Sequence, residues 1–299
     1  MAALPRPCHA ANGAFYALSP QQKEKNMTDL NGRAAIVTAG SRGIGLACAR
    51  ILVRHGATVF VAARNEKEGE EAVAAMRRQG GRAFFLRFDA TRAEDYPRLI
   101  DTAARRAGRL DILVNNYGST DPARDRNLLE GDAEAFFRIV RANIQSVYLS
   151  CRRAVPFMKD SGGGSIVNIS SIGSLVPDVS RLAYTLSKAA VNTLTKNIAL
   201  QYARDNIRCN AVLPGLIATD AALRNMPESF LLSFLSHVPM GRMGTPEDVA
   251  NAVLYFAGDA SSYVTGVLHD VAGGFALGTP QYAESISPAP GSLPQGEEA

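Results

Sequence analysis

The sequence predicts an α/β fold: one doubly wound domain with a parallel seven-stranded sheet and helices on both faces. From Arg33 onward, short β-branched runs alternate with longer runs of helical periodicity. Runs such as Ile112-Leu-Val are apolar throughout, as a strand buried on both faces requires. A glycine-rich turn stands between the first strand and the first helix, the usual place for a phosphate-binding turn in such a fold.

The strands are expected at Ala34–Thr38, Thr58–Ala63, Ala83–Phe88, Ile112–Asn115, Ser165–Ile169, Arg208–Val212 and Gly266–Val271. Helices are expected between them, over 44–55, 65–79, 93–107, 132–159, 184–204 and 246–257. Repeated βα units of this length imply a parallel sheet with helical layers on both sides. Residues 27–279 are therefore read as one domain. Residues 1–26, with Pro5, Pro7, Pro20 and a Gln-Gln-Lys-Glu-Lys run, read as a disordered extension ahead of a second methionine, Met27. One arginine and no sustained apolar stretch argue against a targeting peptide there. Residues 280–299, rich in Pro, Ser and Glu, read as a loose tail.

Composition narrows the function. The 299 residues are 46% hydrophobic and 20% charged, with a net charge of +4. That charge is too mild and too dispersed to argue for nucleic acid, and no apolar run reaches the length of a membrane span. Cys8, Cys48, Cys151 and Cys209 are far apart and read as small hydrophobes in a reducing, cytoplasmic compartment. His9, His55, His237 and His269 are equally scattered, so no metal is expected.

The glycine turn runs Thr38-Ala39-Gly40-Ser41-Arg42-Gly43-Ile44-Gly45 and opens a helix. Glycines let the backbone approach a pyrophosphate, and a helix N-terminus offers it oriented N–H groups. Strand two ends at Ala63-Arg64, where a site that prefers NAD usually carries an acid for the ribose 2′-hydroxyl. Arg64 and Arg42 suit a 2′-phosphate instead, which predicts NADP; the alternative is a solvated loop charge at Arg64. Asp89, with Ala90 beside it, follows strand three and is either an adenine contact or the N-cap of the helix over 93–107. Asn115 and Asn116 can tie strand ends together, and with Gly118 they hold a loop over the cofactor. The turn Pro214-Gly215-Leu-Ile217-Ala-Thr219 can hold a nicotinamide carboxamide.

Tyr184 and Lys188 stand four apart, on one face if 184–204 is helical. A phenol, with a pKa of about 10, is a poor acid–base catalyst at neutral pH until a neighbouring ammonium favours its ionised form. Ser171, at the end of the fifth strand, can hold a substrate oxygen beside it. A Tyr-x-x-x-Lys pair can also be an ordinary surface pair, and Ser170-Ser171 a turn. Asn143 is a poor helix former in the middle of a long helix, tolerable if it binds a carbonyl or water, and so a candidate for a proton relay. Residues 216–240, with Leu216, Leu223, Phe230, Leu232 and Phe234, read either as an apolar lid over a bulky substrate or as a helix packed on the core. Arg224, or another basic residue near the mouth of that pocket, is a candidate for meeting a substrate carboxylate.

The glycine turn, Asn115-Asn116-x-Gly118, Asn143, Ser171, Tyr184-x-x-x-Lys188 and Pro214-Gly215 together resemble the short-chain dehydrogenase/reductase family, over about residues 30 to 275. The resemblance implies a Rossmann-like fold and hydride transfer to or from a nicotinamide. It implies Tyr184 as acid/base and Lys188 as the group that lowers its pKa and binds ribose. Ser171 would orient the substrate oxygen, and Asn143 would hold a water leading to solvent. The family is usually homotetrameric, and the helices over 132–159 and 184–204 are long and apolar enough for that. Three departures stand out. Ala39 replaces the first turn glycine, so its backbone should avoid positive φ; Tyr117 replaces an alanine; and Ala272 replaces an aspartate. Asn115-Asn116-Tyr117-Gly118, Val176-Pro177-Asp178 and Ala272-Gly-Gly-Phe275 resemble one branch, the bacterial 7α-hydroxysteroid dehydrogenases. That implies an NADP-linked steroid or bile-acid substrate. The alternatives are a 3-oxoacyl thioester reductase, a sugar or polyol dehydrogenase, or a silent NADP-binding sensor.

Overall fold

The computed structural model describes residues 27–224, 226–278 and 282. The expected N-terminal extension and most of the C-terminal tail, with Cys8 and His9, lie outside the described residues.

Seven strands form one sheet: β1 Ala34–Thr38, β2 Thr58–Ala63, β3 Ala83–Arg87, β4 Ile112–Asn115, β5 Gly164–Ile169, β6 Ile207–Pro214 and β7 Leu268–Val271. Every pairing is parallel, in the order β3-β2-β1-β4-β5-β6-β7. Helices α1 Gly43–Arg54, α2 Glu66–Arg78, α3 Asp95–Ala107, α4 Ala133–Asp160, α5 Leu182–Tyr202 and α8 Pro246–Ala257 cover it. The expected doubly wound α/β architecture is thus the observed one. Boundaries moved by a few residues: α5 begins two residues before Tyr184, and β6 extends to Pro214. The segment 216–240, which gave no definite helix in sequence, holds α6 Asp220–Arg224 and α7 Glu228–Leu235.

The sheet divides the core. Ala35 and Val37 of β1 pack with Cys48, Leu52, Met76 and Val253 of α1, α2 and α8. Ile36, between them, packs on the other face with Leu99, Val147, Cys151, Val191 and Ile198 of α3, α4 and α5. Alternate residues of one buried strand therefore feed two helical layers. Burial pushes the Cys48 and Cys151 thiols up to about 12, which suits packing rather than reactivity.

Local chemistry sets the helix starts. Asn65 caps α2 through Glu68 N, Asp132 caps α4 through Ala135 N, and Thr245 with Asp248 forms a capping box on α8. The chain reverses its winding direction between β1 and β4. There the loops after the carboxyl ends of the strands diverge and leave a crevice. The glycine turn, Asn116-Tyr117-Gly118, Ser171 and Gly215 all follow such strand ends.

Candidate active site

The turn after β1 is built by close approaches. Gly40 N donates to Ala62 O at 3.1 Å. A Cβ on Gly40 would lie 2.9 Å from Val37 O, and one on Gly45 would lie 2.3 Å from Ala39 O. Asn116 closes the turn from β4: its Nδ2 donates to Thr38 O at 3.1 Å and to Ala39 O at 3.2 Å. Thr38 Oγ1 in return accepts from the N–H groups of Asn116 and Tyr117. Asn115 Nδ2 donates to Asn168 Oδ1 on β5 at 2.8 Å, so both asparagines tie strand ends as expected.

Ala39 corrects the sequence expectation, because its φ is +50°. The turn needs a left-handed residue at this point, and hydrogen bonds on both sides of Ala39 hold it there. Left-handed backbone costs an L-residue about 1–2 kcal/mol, and alanine has the smallest side chain that must bear it.

A groove of about 430 Å³ lies along this turn, lined by Ala39, Ser41, Arg42, Arg64, Asp89 and Ala90 among others, with Tyr117, Gly118 and Ser119 on its far wall. Arg42 and Arg64 meet there, and neither guanidinium has a hydrogen-bonded carboxylate partner among the described residues. Asp89 is not a helix cap: its Oδ1 accepts from Thr91 N and Oγ1, and Glu94 occupies the N-cap of α3. The start of α1 at one end and two guanidiniums at the other are donors of the kind that phosphate groups bind.

Gly40, Gly43, Ile44, Gly45 and Asn116 shape the turn from behind and do not line the groove. Gly43, at φ +52°, faces Thr219, whose Cγ2 would lie 3.4 Å from a Cβ there. This brings the turn after β6 to the glycine turn. In that second turn Gly215 N donates to Val271 O, Ile217 pairs with Gly244, and Thr219 Oγ1 accepts from Ala222 N. A Cβ on Gly215 would lie 2.9 Å from Ala272 Cα, so Pro214-Gly215 closes tightly on β7.

Gly118 connects the groove to the second cluster, since a Cβ there would stand 3.2 Å from Lys188 Nζ. Lys188 is buried and donates from Nζ to Ile169 O at 2.8 Å. Desolvation draws its ammonium down to about 8. Its Nζ lies 5.7 Å from the centre of the Tyr184 ring, one helical turn back. Burial raises the Tyr184 phenol above its ordinary range, opposed by a hydrogen bond with Ser171 and by the charge of Arg181. Desolvation outweighs both, and Arg181, not the expected Lys188, is the cation that lowers the phenol. Ser171 Oγ accepts from Gly173 N at 3.2 Å, fixing the hydroxyl beside the phenol. Asn143, buried in α4, accepts from Ser119 N at 2.6 Å. It donates to Ser119 O at 3.0 Å and to Ser187 Oγ at 2.8 Å. Its amide thus joins the loop after β4 to α5, satisfying a polar side chain inside a helix.

Ser171 and Tyr184 open onto a cavity of about 340 Å³, whose walls include Ile172, Val176, Gly215, Leu216, Phe230, Phe234 and Phe275. Phe234 and Phe275 stack at 4.7 Å with rings 3° apart. Besides Ser171 and Tyr184, the polar side chains on this wall are Asp178, Arg181, Thr185, Ser233 and His237. Arg224 does not reach it; its Nε donates to Asp220 O within its own short helix. The sequence reading missed Arg181 and His237, neither of which stands in a recognisable pattern. No three of His, Cys, Asp and Glu converge as metal ligands among the described residues, and no helix there is long and apolar enough to cross a membrane.

A family profile described as enoyl-(acyl carrier protein) reductase matches residues 38–276. The chain is 59% identical over 258 residues to a 7α-hydroxysteroid dehydrogenase of Clostridium sardiniense, covering 86% of this chain and 98% of that one. It is 48% identical over 261 residues to one of Paraclostridium sordellii, covering 87% and 98%. A solved short-chain type dehydrogenase/reductase from Mycobacterium marinum superposes with a TM-score of 0.78 at 33% identity, covering 84% of this chain and 98% of that chain. Sequence, sheet order and site agree: the chain belongs to the short-chain dehydrogenase/reductase family of nicotinamide-dependent oxidoreductases.

Proposed function

We propose that this protein is an NADP(H)-dependent dehydrogenase that interconverts the 7α-hydroxyl and 7-ketone of a steroid of the bile-acid type. The observation that carries the reading is the apolar cavity onto which Ser171 and Tyr184 open, in a chain 59% identical to a 7α-hydroxysteroid dehydrogenase. Three phenylalanines and Leu216 give that cavity broad flat walls, which suit a rigid alicyclic ring system better than a sugar.

The residues divide the work. Gly40, Gly43 and Gly45 let the turn close tightly against Val37, Thr219, Ala39 and Asn116, and Ser41 and Ile44 present backbone N–H groups to the pyrophosphate at the start of α1. Arg42 and Arg64 hold the 2′-phosphate; Asp89 and Ala90 flank the adenine. Asn116 and Gly118 keep the loop after β4 low over the nicotinamide riboside. Pro214, Gly215, Ile217 and Thr219 form the turn that meets the carboxamide. A bound nicotinamide would supply the hydride acceptor for oxidation of the carbinol and the hydride donor for reduction of the ketone. Ser171 donates a hydrogen bond to the substrate oxygen. Tyr184 takes the proton from that oxygen in oxidation and gives it back in reduction. Lys188 supplies positive charge that favours the phenolate and hydrogen-bonds the ribose. Asn143 keeps α5 and the loop after β4 in register and lies on the proton path to solvent.

Residues 27–279 act as one domain in this reading, in the cytoplasm, with no resident metal. The exposed apolar side chains Phe137, Leu186 and Leu200 on α4 and α5 support packing of copies of the chain into a homotetramer. The deciding experiment follows reduced-nicotinamide absorbance with NADP or NAD and bile acids carrying a 3α-hydroxyl alone or with an added 7α-, 7β- or 12α-hydroxyl. Reduction of NADP only when a 7α-hydroxyl is present is expected. Silence across the set, with turnover of acyl thioesters or sugars, would overturn the substrate.

A further inference from the structure

We propose that Asp125 is the positioning residue that holds Tyr184 in register; this rests on the reading of Tyr184 as the acid/base. The start of α5 is unusual. Its N-cap is Arg181, at φ +57° and ψ +41°, and no side-chain hydrogen bond from the N-cap closes the helix. The orphan N–H groups of a helix start need partners. Here all of them end on two residues of a distant loop. Arg181 N donates to Asp125 O at 2.9 Å, and Leu182 N donates to Arg126 O at 3.4 Å. Ala183 N donates to Asp125 Oδ1 at 2.8 Å, and Tyr184 N donates to Asp125 Oδ2 at 2.9 Å. The first bond within the helix follows, from Thr185 N to Arg181 O.

Asp125 is 3% exposed and forms no ion pair among the described residues. Both carboxylate oxygens therefore serve the catalytic helix, in a favourable place for negative charge. The loop that carries it is itself fixed. Asp125 N donates to Asp121 O at 2.7 Å, Arg138 of α4 donates to Asp121 Oδ2 at 2.9 Å, and Asp132 N donates to Arg124 O at 3.0 Å. Asn143 grips the same loop at Ser119 and α5 at Ser187. The loop after β4 thus holds α5 in two places, at Ser187 through Asn143 and at the amides from Arg181 to Tyr184. Asp125 does not line the substrate cavity. It acts through the backbone of Arg181 and Tyr184, which do.

The test compares Asp125→Ala and Asp125→Asn with the wild type. A misplaced acid/base costs about 100-fold in rate for a shift of about 1 Å. Asp125→Ala is expected to lower kcat by about that factor with the dissociation constant of NADP held within about twofold. Asp125→Asn keeps one acceptor oxygen and is expected to recover about a tenth or more of the wild-type rate. Amide exchange at Ala183 and Tyr184 is expected to quicken in Asp125→Ala, while that of β4 and β5 stays slow. A kcat within about threefold of wild type in Asp125→Ala, or equal losses of kcat and cofactor affinity, would overturn the proposal. A wild type that turns over another alcohol but no steroid retires the steroid reading, and the comparison is then made on that alcohol. With no turnover at all, unchanged exchange at Ala183 and Tyr184 overturns the role of Asp125.

Discussion

A Cβ placed on Gly45 would come within 2.5 Å of Asn116 Nδ2, the atom that bonds Thr38 O and Ala39 O across the glycine turn. The same Cβ would stand 2.3 Å from Ala39 O. A methyl group here displaces backbone as well as the Asn116 anchor, and Ala39 already sits at positive φ. Gly45→Ala is therefore expected to lose about 1–3 kcal/mol of stability, an overpacking cost. NADP should bind at least about tenfold more weakly, equivalent to 1.4 kcal/mol. Thermal melts and fluorescence titration read both; wild-type affinity in the variant would contradict the cradle.

Tyr184→Phe removes the hydroxyl proposed to exchange the proton and leaves the ring, which stands 5.7 Å from Lys188 Nζ. General acid–base catalysis is worth about 10²–10⁴-fold. The variant is expected to lose at least about that factor in kcat, with NADP binding nearly intact. Steady-state rates beside a binding titration test it, and retained turnover would remove Tyr184 from the mechanism.

Arg42 and Arg64 line one groove, and neither guanidinium hydrogen-bonds a carboxylate among the described residues, although Asp89 in the same groove feels the charge of Arg64. A hydrogen bond to a charged group contributes about 1.5–3 kcal/mol, or roughly 10–150-fold. Arg42→Ala and Arg64→Ala are each expected to lower kcat/KM for NADP by a factor in that range, and to change that for NAD by less than about threefold. Equal losses with both cofactors would show that the guanidiniums do not read the 2′-phosphate.

Lys188 titrates at about 8 in the folded chain against an ordinary 10.5. Between those values the unfolded chain holds a proton that the folded chain has lost, so stability rises with pH across the window. Below about 8 the whole penalty is present, of the order of 3 kcal/mol. Lys188→Met removes it. Without cofactor, the variant is expected to melt above the wild type at pH 7, with the gap closing as pH approaches 10. Melting curves at several pH values decide it; a gap that stays constant would mean that the ammonium carries no such strain.

The fold was legible because periodicity and burial coincide: Ala34–Thr38 is apolar in sequence and buried on both faces in space. The glycine turn was legible because glycines mark close approaches in sequence. Ala39 was misread because a turn held from Asn116 and Ala62 overrides the local preference of one residue. Asp125 left no signal, because a carboxylate that caps a helix 58 residues away stands in no local pattern. His237 and Arg181 stand in no local pattern either, and nothing in sequence reveals that Arg224 turns back to Asp220 O. Side chains at a fixed spacing on one helix, such as Tyr184 and Lys188, can be placed together from sequence. Chemistry assembled by loops cannot.

The sequence left two readings of residues 216–240, a lid or a packed helix, and the structure separates them by residue. Ile217 is buried and packs with the α1 and α8 side of the sheet. Helix α7 buries none of its residues, yet Phe230 and Phe234 line the substrate cavity and Phe275 stacks on Phe234. A helix with no buried residue contributes little to global stability, so its apolar side chains have work at the cavity. Phe234→Ala removes the stacked pair, worth about 0.5–1.5 kcal/mol beyond the area it covers. The variant is expected to keep its melting temperature and its kcat on a small cyclic alcohol. Its KM for the steroid should rise about tenfold, equivalent to 1.4 kcal/mol. Equal effects on both substrates would assign Phe234 to the frame of the site; a large fall in melting temperature would return α7 to the core.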